Sequence, residues 1–349
     1  MIKKIALFFF FISPAFSEEM PNSVSQPSGR SIKTPEEISA EIDSVQYDFQ
    51  VAQDMFIPWY TGPLITGSAN NVPFGRINIQ PYLYFTVDHA VYDGHRHSKN
   101  ISNVYVINPL FVFQAGLTNW LDVTVVPQGY FSWQSGHSGQ AFGDFPLEFG
   151  LQLYKETPYV PSFRMIVGQL FPTGSYQKLN PNKNGLDAAG QGVYATILGL
   201  NISKVFWGIK LHPVALRLST QYTQPQGKAH VEGFNSYGGG YGTRGKVSVG
   251  ASFSADLGAE VSISQKWVFA TDIAYTCSTS SPFRGNPGVD QFGNAAQVGS
   301  PSSDQLSIAP AIEYNVTNTG GFIGGVWFSV TGRNSSNFAS LVLSYTQLF

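Results

Sequence analysis

Val247-Ser248-Val249-Gly250-Ala251-Ser252-Phe253-Ser254-Ala255-Asp256-Leu257-Gly258-Ala259-Glu260-Val261-Ser262-Ile263 alternates without a slip. Val247, Val249, Ala251, Phe253, Ala255, Leu257, Ala259, Val261 and Ile263 take one side; serines, glycines, Asp256 and Glu260 take the other. Successive side chains of a β-strand point to opposite faces, so this period predicts a strand that is apolar on one face and polar on the other. It is far longer than the five or six residues of an ordinary strand. A strand that crosses a membrane needs about 9–11 residues and commonly projects beyond the bilayer. The length therefore points to a transmembrane strand with lipid on one face and a polar lumen on the other.

The same alternation recurs. Leu121, Val123, Val125, Phe131 and Trp133 interleave with Asp122, Thr124, Gln128, Tyr130 and Ser132. Phe145, Leu147, Phe149, Leu151 and Leu153 interleave with Asp144, Glu148, Gln152 and Tyr154. The pattern predicts an all-β fold, an antiparallel transmembrane β-barrel of about twelve strands, with a short amphipathic helix before it. The strands are expected near 76–88, 102–116, 120–134, 142–155, 162–173, 191–204, 212–223, 246–264, 266–278, 304–316, 320–333 and 337–349. Three of them, 102–116, 162–172 and 191–204, are apolar on both faces, which leaves their registers open. Connections fall mostly long on one side (89–101, 135–141, 174–190, 224–245, 279–303, with 334–336 short) and short on the other, as in outer-membrane barrels. The long ones are rich in Gly, Ser, Asn and Pro, and Tyr237-Gly238-Gly239-Gly240-Tyr241 is expected in a mobile surface loop. Leu341, Leu343, Tyr345 and Phe349 share a face of the last strand. A closing aromatic there, Tyr345 with Phe349, is the kind of signal that outer-membrane barrels present to their assembly machinery.

Composition agrees. Only 12% of the 349 residues are charged and 14% are aromatic, with 36 glycines. Soluble proteins carry about 25% charge. Mean hydropathy is -0.04, too low for a bundle of membrane helices. A net charge of -2 gives no footprint for nucleic acid. The single cysteine, Cys277, excludes an intrachain disulfide and is expected to be a small packing residue.

The chain opens as a signal peptide over 1–17: Lys3 and Lys4, an apolar run from Ile5 to Ile12, then Ala15-Phe16-Ser17 for cleavage. No cysteine follows to take a lipid anchor. A flexible leader is expected over 18–33. A helix is expected over 34–58, with Thr34 as N-cap, Pro35 at its first position and Glu37 completing a capping box. Ile38, Ile42, Val45, Phe49, Ala52 and Phe56 form its apolar stripe, and its duty is either a plug or periplasmic docking. The barrel takes 75–349.

Two stretches near the middle carry a resemblance. Phe142-Gly143-Asp144-Phe145-Pro146-Leu147, and one strand later Gly168-Gln169-Leu170-Phe171-Pro172-Thr173-Gly174-Ser175-Tyr176, resemble strand-end motifs of the outer-membrane family described as the putative MetA pathway of phenol degradation. Gly116-Leu117-Thr118-Asn119-Trp120-Leu121 resembles its Gly-Leu-Thr hairpin. The resemblance covers roughly the central third of the chain. It implies a channel-like barrel of about a dozen strands that passes small, often hydrophobic, compounds, and not an enzyme of phenol breakdown. The acidic N-terminal helix is not part of that resemblance.

A barrel's function lies in its lumen and loops. Charge on the lipid face costs roughly 2–4 kcal/mol for Lys or Arg at the midplane. The alternation therefore assigns Arg76, Asp88, Asp122, Asp144, Glu148, Arg217, Asp256, Glu260, Asp272, Glu313 and Arg333 to the lumen. These either tune a pore or pair into a bracing network. Tyr82, Tyr84, Tyr130, Tyr154 and Trp327 are the inward aromatics, a track for aromatic solutes or a filling. His89, His95 and His97 with Asp93 are read as solvated loop residues; no metal and no cofactor is expected. His137 and Ser138 are the nearest approach to a hydrolase site, without a G-x-S-x-G element. The expected function is passage of small molecules, hydrophobic or aromatic ones among them, across a bacterial outer membrane. A structural or adhesive barrel, and an outer-membrane hydrolase, are the rivals. The expected partners are outer-membrane lipid, the assembly machinery and the solute; oligomeric state stays open.

Overall fold

A computed structural model describes residues 33–55, 60–157, 159–209 and 212–349. The expected signal peptide and all but the last residue of the leader lie outside these. Helix α1 (Pro35–Met55) begins where its caps require. The Glu37 amide donates to Thr34 Oγ1 at 3.3 Å, and the Thr34 amide donates to Glu37 Oε2 at 2.9 Å. It is described to Met55; its expected end at 58 falls in residues 56–59, which lie outside the described set.

The strands of the chain, in order, are β1 (Ile77–Tyr92), β2 (Ser98–Gly116), β3 (Leu121–Val125), β4 (Gly129–Gln134), β5 (His137–Phe142), β6 (Phe145–Tyr154), β7 (Ser162–Phe171), β8 (Ala195–Ile209) and β9 (His212–Pro225). They continue with β10 (Ala229–Glu232), β11 (Arg244–Val247), β12 (Ser252–Ser262), β13 (Trp267–Ser278), β14 (Ser281–Asn286), β15 (Gly299–Ser300), β16 (Ser303–Asn315), β17 (Gly320–Arg333) and β18 (Ser335–Leu348). Neighbours pair antiparallel around the wall, and β1 pairs with both β2 and β18, which closes the barrel. β3 with β4, and β5 with β6, are interrupted staves, so the wall has twelve staves. Closure pairs the staves with one another around the wall, the condition for spanning lipid.

The outer face is apolar along its middle. Leu216, Leu218, Leu257, Ile273, Leu341 and Leu343 are exposed there. Aromatics ring both edges. Trp267 meets Tyr314 at 4.7 Å and Phe322 meets Tyr345 at 4.6 Å at the short-turn end; Tyr105, Trp133, Tyr222 and Tyr275 stand toward the long loops. An apolar band between two aromatic girdles is the surface of a transmembrane barrel in an outer membrane.

The expected strand 246–264 is broken. Residues 248–251 leave the ladder, and Gly250 there packs against the Thr279 carbonyl, where a Cβ would lie 2.1 Å from the oxygen. The long loops are more ordered than expected. Segments from 224–245 and 279–303 form a second, four-stranded sheet, β10-β11-β14-β15. The 89–101 loop shrinks to a tight turn at 93–97, since β1 and β2 run on to Tyr92 and Ser98.

Candidate functional site

Residues 60–73 form a strap inside the barrel. With Gly62, Pro63, Gly67 and Pro73 the segment makes neither helix nor strand. Its backbone groups still need partners, and lumen side chains supply them. The Thr61 amide donates to Glu313 Oε2 at 2.9 Å. Ile65 and Thr66 amides donate to Asp272 at 3.3 and 3.0 Å, and the Thr66 hydroxyl adds a bond of 2.6 Å. The Asn71 amide donates to Gln152 Oε1 at 2.8 Å and that of Val72 to Asp122 Oδ2 at 3.1 Å. In return Gln152 donates to the Ala69 carbonyl and Asn201 to that of Ser68. Leu64 is buried among Ala270, Ala309, Ile323 and Val342, with Tyr82, Tyr84 and Trp327 packed against the cluster.

Two ion pairs brace the same region. Arg164 Nη2 lies 2.7 Å from Asp122 Oδ1, and Arg217 Nε lies 2.6 Å from Glu260 Oε2. All four side chains are buried or nearly so. Such pairs survive burial only with further hydrogen bonds, which Gln114 and Val72 give to Asp122. Glycines make room for the strap. A Cβ on Gly258 would lie 2.7 Å from Pro63 Cγ, and one on Gly116 would lie 2.1 Å from the Pro73 carbonyl. A cavity of about 620 Å³ remains beside the strap, lined in part by Tyr82, Glu148 and Asp256.

The wall has a second special place. Pro127 carries no amide to donate, and the stave breaks between Val125 and Gly129. The neighbouring stave breaks at Gly143-Asp144. The β4–β5 hairpin pairs only with β2, so one edge of β5 has no ladder partner. An apolar recess of about 540 Å³ opens here, lined by Pro109, Phe111, Pro127, Tyr130, Phe131 and Phe142 among others. Phe142 is 80% exposed. By register, Phe131 and Phe142 belong to the outer face and Tyr130 to the inner, so the recess draws on both. Beside it the two motif stretches clasp one another. Gly174 and Gln191 amides donate to Asp144 at 2.9 and 2.8 Å, and the Thr173 hydroxyl donates to the Gly143 carbonyl at 3.0 Å.

Asp122, Glu260, Asp272 and Glu313 are thus buried against the strap or the bracing arginines. Asp144 holds loops, Asp88 is half-buried beside a bulge in β1, and Asp256 and Glu148 line the cavity. Arg333 pairs at 2.9 Å with Asp304, which also takes Arg96 at 2.7 Å. Asp304 was not among the expected residues. Two assignments need correction. Arg76 precedes β1, where alternation does not apply, and lies exposed in a turn. Tyr154 is 65% exposed and edge-on to Phe163; a register shift between Gln152 and Tyr154 turns it out of the lumen. His137 Nδ1 lies 2.8 Å from the Asn182 carbonyl. Among the described residues no cluster of three His, Cys, Asp or Glu has the spacing to hold a metal ion. The strap itself was missed: it has no period, and its partners lie up to about 250 positions away.

No protein-family model matches the chain, and no curated protein matches it. Among solved structures, the COG4313 outer membrane channel from Pseudomonas putida F1 is 16% identical over 81% of this chain and 98% of its own, with a TM-score of 0.58. The chain shares the fold of that channel. The translocator domain of autotransporter NalP from Neisseria meningitidis is 9% identical over 89% of this chain and 97% of its own, with a TM-score of 0.44. The Pseudomonas putida toluene transporter TodX is 10% identical over 84% and 99%, with a TM-score of 0.39. The fold likeness rests on the first of these.

Proposed function

We propose that this barrel passes small hydrophobic or aromatic molecules across the outer membrane, passively, and catalyses no reaction. The observation that carries the reading is the apolar recess at the broken staves, in a barrel where most of the buried lumen carboxylates are engaged by the strap, by arginines or by loops. A hydrophilic pore would present free lumen charges along its length; here most of the buried carboxylates are spent on the strap, arginines or loops. An aromatic solute gains burial against Phe111, Tyr130, Phe131 and Phe142 without stripping an ion. The resemblance of the clasping motifs to the MetA-pathway barrels points the same way, and the COG4313 protein with this fold is described as a channel.

The test is entry of a fluorescent monoaromatic probe into outer-membrane vesicles, whose glycolipid leaflet slows free passage. Vesicles with the barrel should load faster than vesicles without it. Phe142→Asp should cut the rate several-fold, because a carboxylate in the recess raises the cost of an apolar occupant. Equal loading with and without the protein sinks the proposal.

A further inference from the structure

The loop sheet does more than cover the barrel. Its strands β10-β11-β14-β15 follow the same lateral order as the staves β9, β12, β13 and β16 that they continue. It is therefore an extension of the wall past the rim. One face is buried: Ala229, Val231 and Val247 are closed off with Val193, against Tyr176, Tyr237 and Phe283. The opposite face is exposed, and its register is unusual. His230 pairs with Lys246, and Lys246 pairs with Arg284. Three basic side chains thus stand in one row across three strands.

Like charges directly opposite one another destabilise a sheet. Nothing among the described residues offsets this row: Lys246 and Arg284 make no ion pair or side-chain hydrogen bond there. Lys228 is exposed one step along β10's approach. The nearest carboxylate on this face, Glu232, is already taken by Lys178 at 2.7 Å, with Arg244 at 3.9 Å. Its carboxyl is held below the usual range mainly by the hydrogen bond from Lys178. The face is a net cation, and among the described residues its Lys246 and Arg284 have no carboxylate of their own.

Its height above the membrane narrows the partner. Tyr222 and Tyr275 mark the upper girdle on β9 and β13. Lys228 and Arg284 follow them within a stretch of chain that spans at most about 30 Å at strand rise. Phosphorylated headgroups and inner sugars of outer-leaflet glycolipid occupy that zone. A guanidinium takes phosphate oxygens in a two-pronged bond, and the adjacent ammonium adds a point charge.

We propose that the exposed face of the loop sheet, with His230, Lys246 and Arg284 in one row, binds the phosphate groups of an anionic outer-leaflet glycolipid. The contact anchors the wall extension to the membrane surface and relieves the repulsion within the row. It is independent of what the lumen passes.

The test uses the full chain, purified in a neutral detergent, with bis-phosphorylated lipid A as probe and the same lipid after dephosphorylation as its control. Binding is read by native mass spectrometry, and the heat-dependent gel shift of a folded barrel reports integrity. The wild type should prefer the phosphorylated lipid. Lys246→Gln combined with Arg284→Gln should weaken its binding about thirty-fold, from the loss of two charges near an anionic surface. Lys246→Arg, which keeps the charge, should bind within about a factor of two of the wild type. Lys99→Gln on the β1–β2 hairpin, outside the row, should change nothing. Equal binding of the two lipids, an unaffected double variant, or an equal loss in Lys99→Gln overturns the proposal.

Discussion

The two ends of this barrel solve the same problem in opposite ways. At the short-turn end, buried charge is abundant and the wall ladders run on to the turns, with register shifts beside Gln152 and Phe206. The strap and the two ion pairs consume most of that charge and leave a cavity of about 620 Å³ beside the strap. Toward the long loops, between Val125 and Asp144, the ladders are interrupted and the exposed surface is aromatic. One region is rigid because most of its buried polar groups have partners, the strap amides among them. The other can yield because Pro127 and the free edge of β5 withhold hydrogen bonds that a continuous wall would make. A channel for apolar solutes needs both, a seal against ions and a place where the wall can admit a ring.

The sharpest break of this contrast is Arg164→Met. It leaves Asp122 buried and uncompensated beneath the strap. Removing one partner of a buried pair costs about 3–5 kcal/mol. Urea unfolding of the barrel in lipid vesicles should show a loss of that order, and residues 60–73 should become open to protease. The double variant Arg164→Met with Asp122→Leu should recover part of the loss. If the single variant unfolds like the wild type, the ion pair is not what secures the strap.

The contrast also explains what could be read in the sequence. Period-two alternation gives the staves because lipid and lumen impose opposite demands on adjacent residues. It located Asp122, Glu260, Asp272 and Glu313 on the inner face for the same reason. It said nothing of what they bind, since their partners are backbone amides of Thr61, Ile65, Thr66 and Val72 or arginines on other strands. Amides carry no signature in a sequence. Where alternation and backbone disagree, the signal was present but weak. Pro127 lies inside a run taken as one strand, and Gly250 inside another; each marks a break. Tyr154 lost its phase to a bulge, which alternation cannot register. The clasp of Asp144 on Gly174 joins two stretches recognised separately, and only the fold brings them together.

A smaller effect is expected from Gly258→Val, which acts on the strap without touching a charge. Its side chain would press on Pro63 and Thr66. Overpacking of this kind costs about 1–3 kcal/mol. Displacing the strap should raise ion conductance in planar bilayers while loading of the aromatic probe through the wall recess stays near that of the wild type. Unchanged current would mean that the strap does not limit the lumen. A parallel fall in probe loading would mean that the two regions share one path.

The smallest effect belongs to the tight turn at 93–97, the tip of the β1–β2 hairpin. Asp93 accepts the amides of His97 and His95 at 3.0 and 2.8 Å and meets Lys99 Nζ at 3.1 Å. The His97 amide, then that of His95, pull its carboxyl from 3.8 down to about 2. A lowered carboxyl favours the folded turn above its ordinary value, and that preference is lost as pH falls through about 2. The turn should therefore keep its geometry at pH 3, where an ordinary aspartate is mostly protonated, and loosen only below that. Carbon-detected NMR of the Asp93 carboxyl should titrate near pH 2, moving the His95 and His97 amide resonances with it. Asp93→Asn should abolish that movement. Because the turn is exposed and remote from the strap, the urea stability that Arg164→Met lowers should not change in Asp93→Asn; a shared loss would show that the hairpin tip and the filled end of the lumen unfold as one unit.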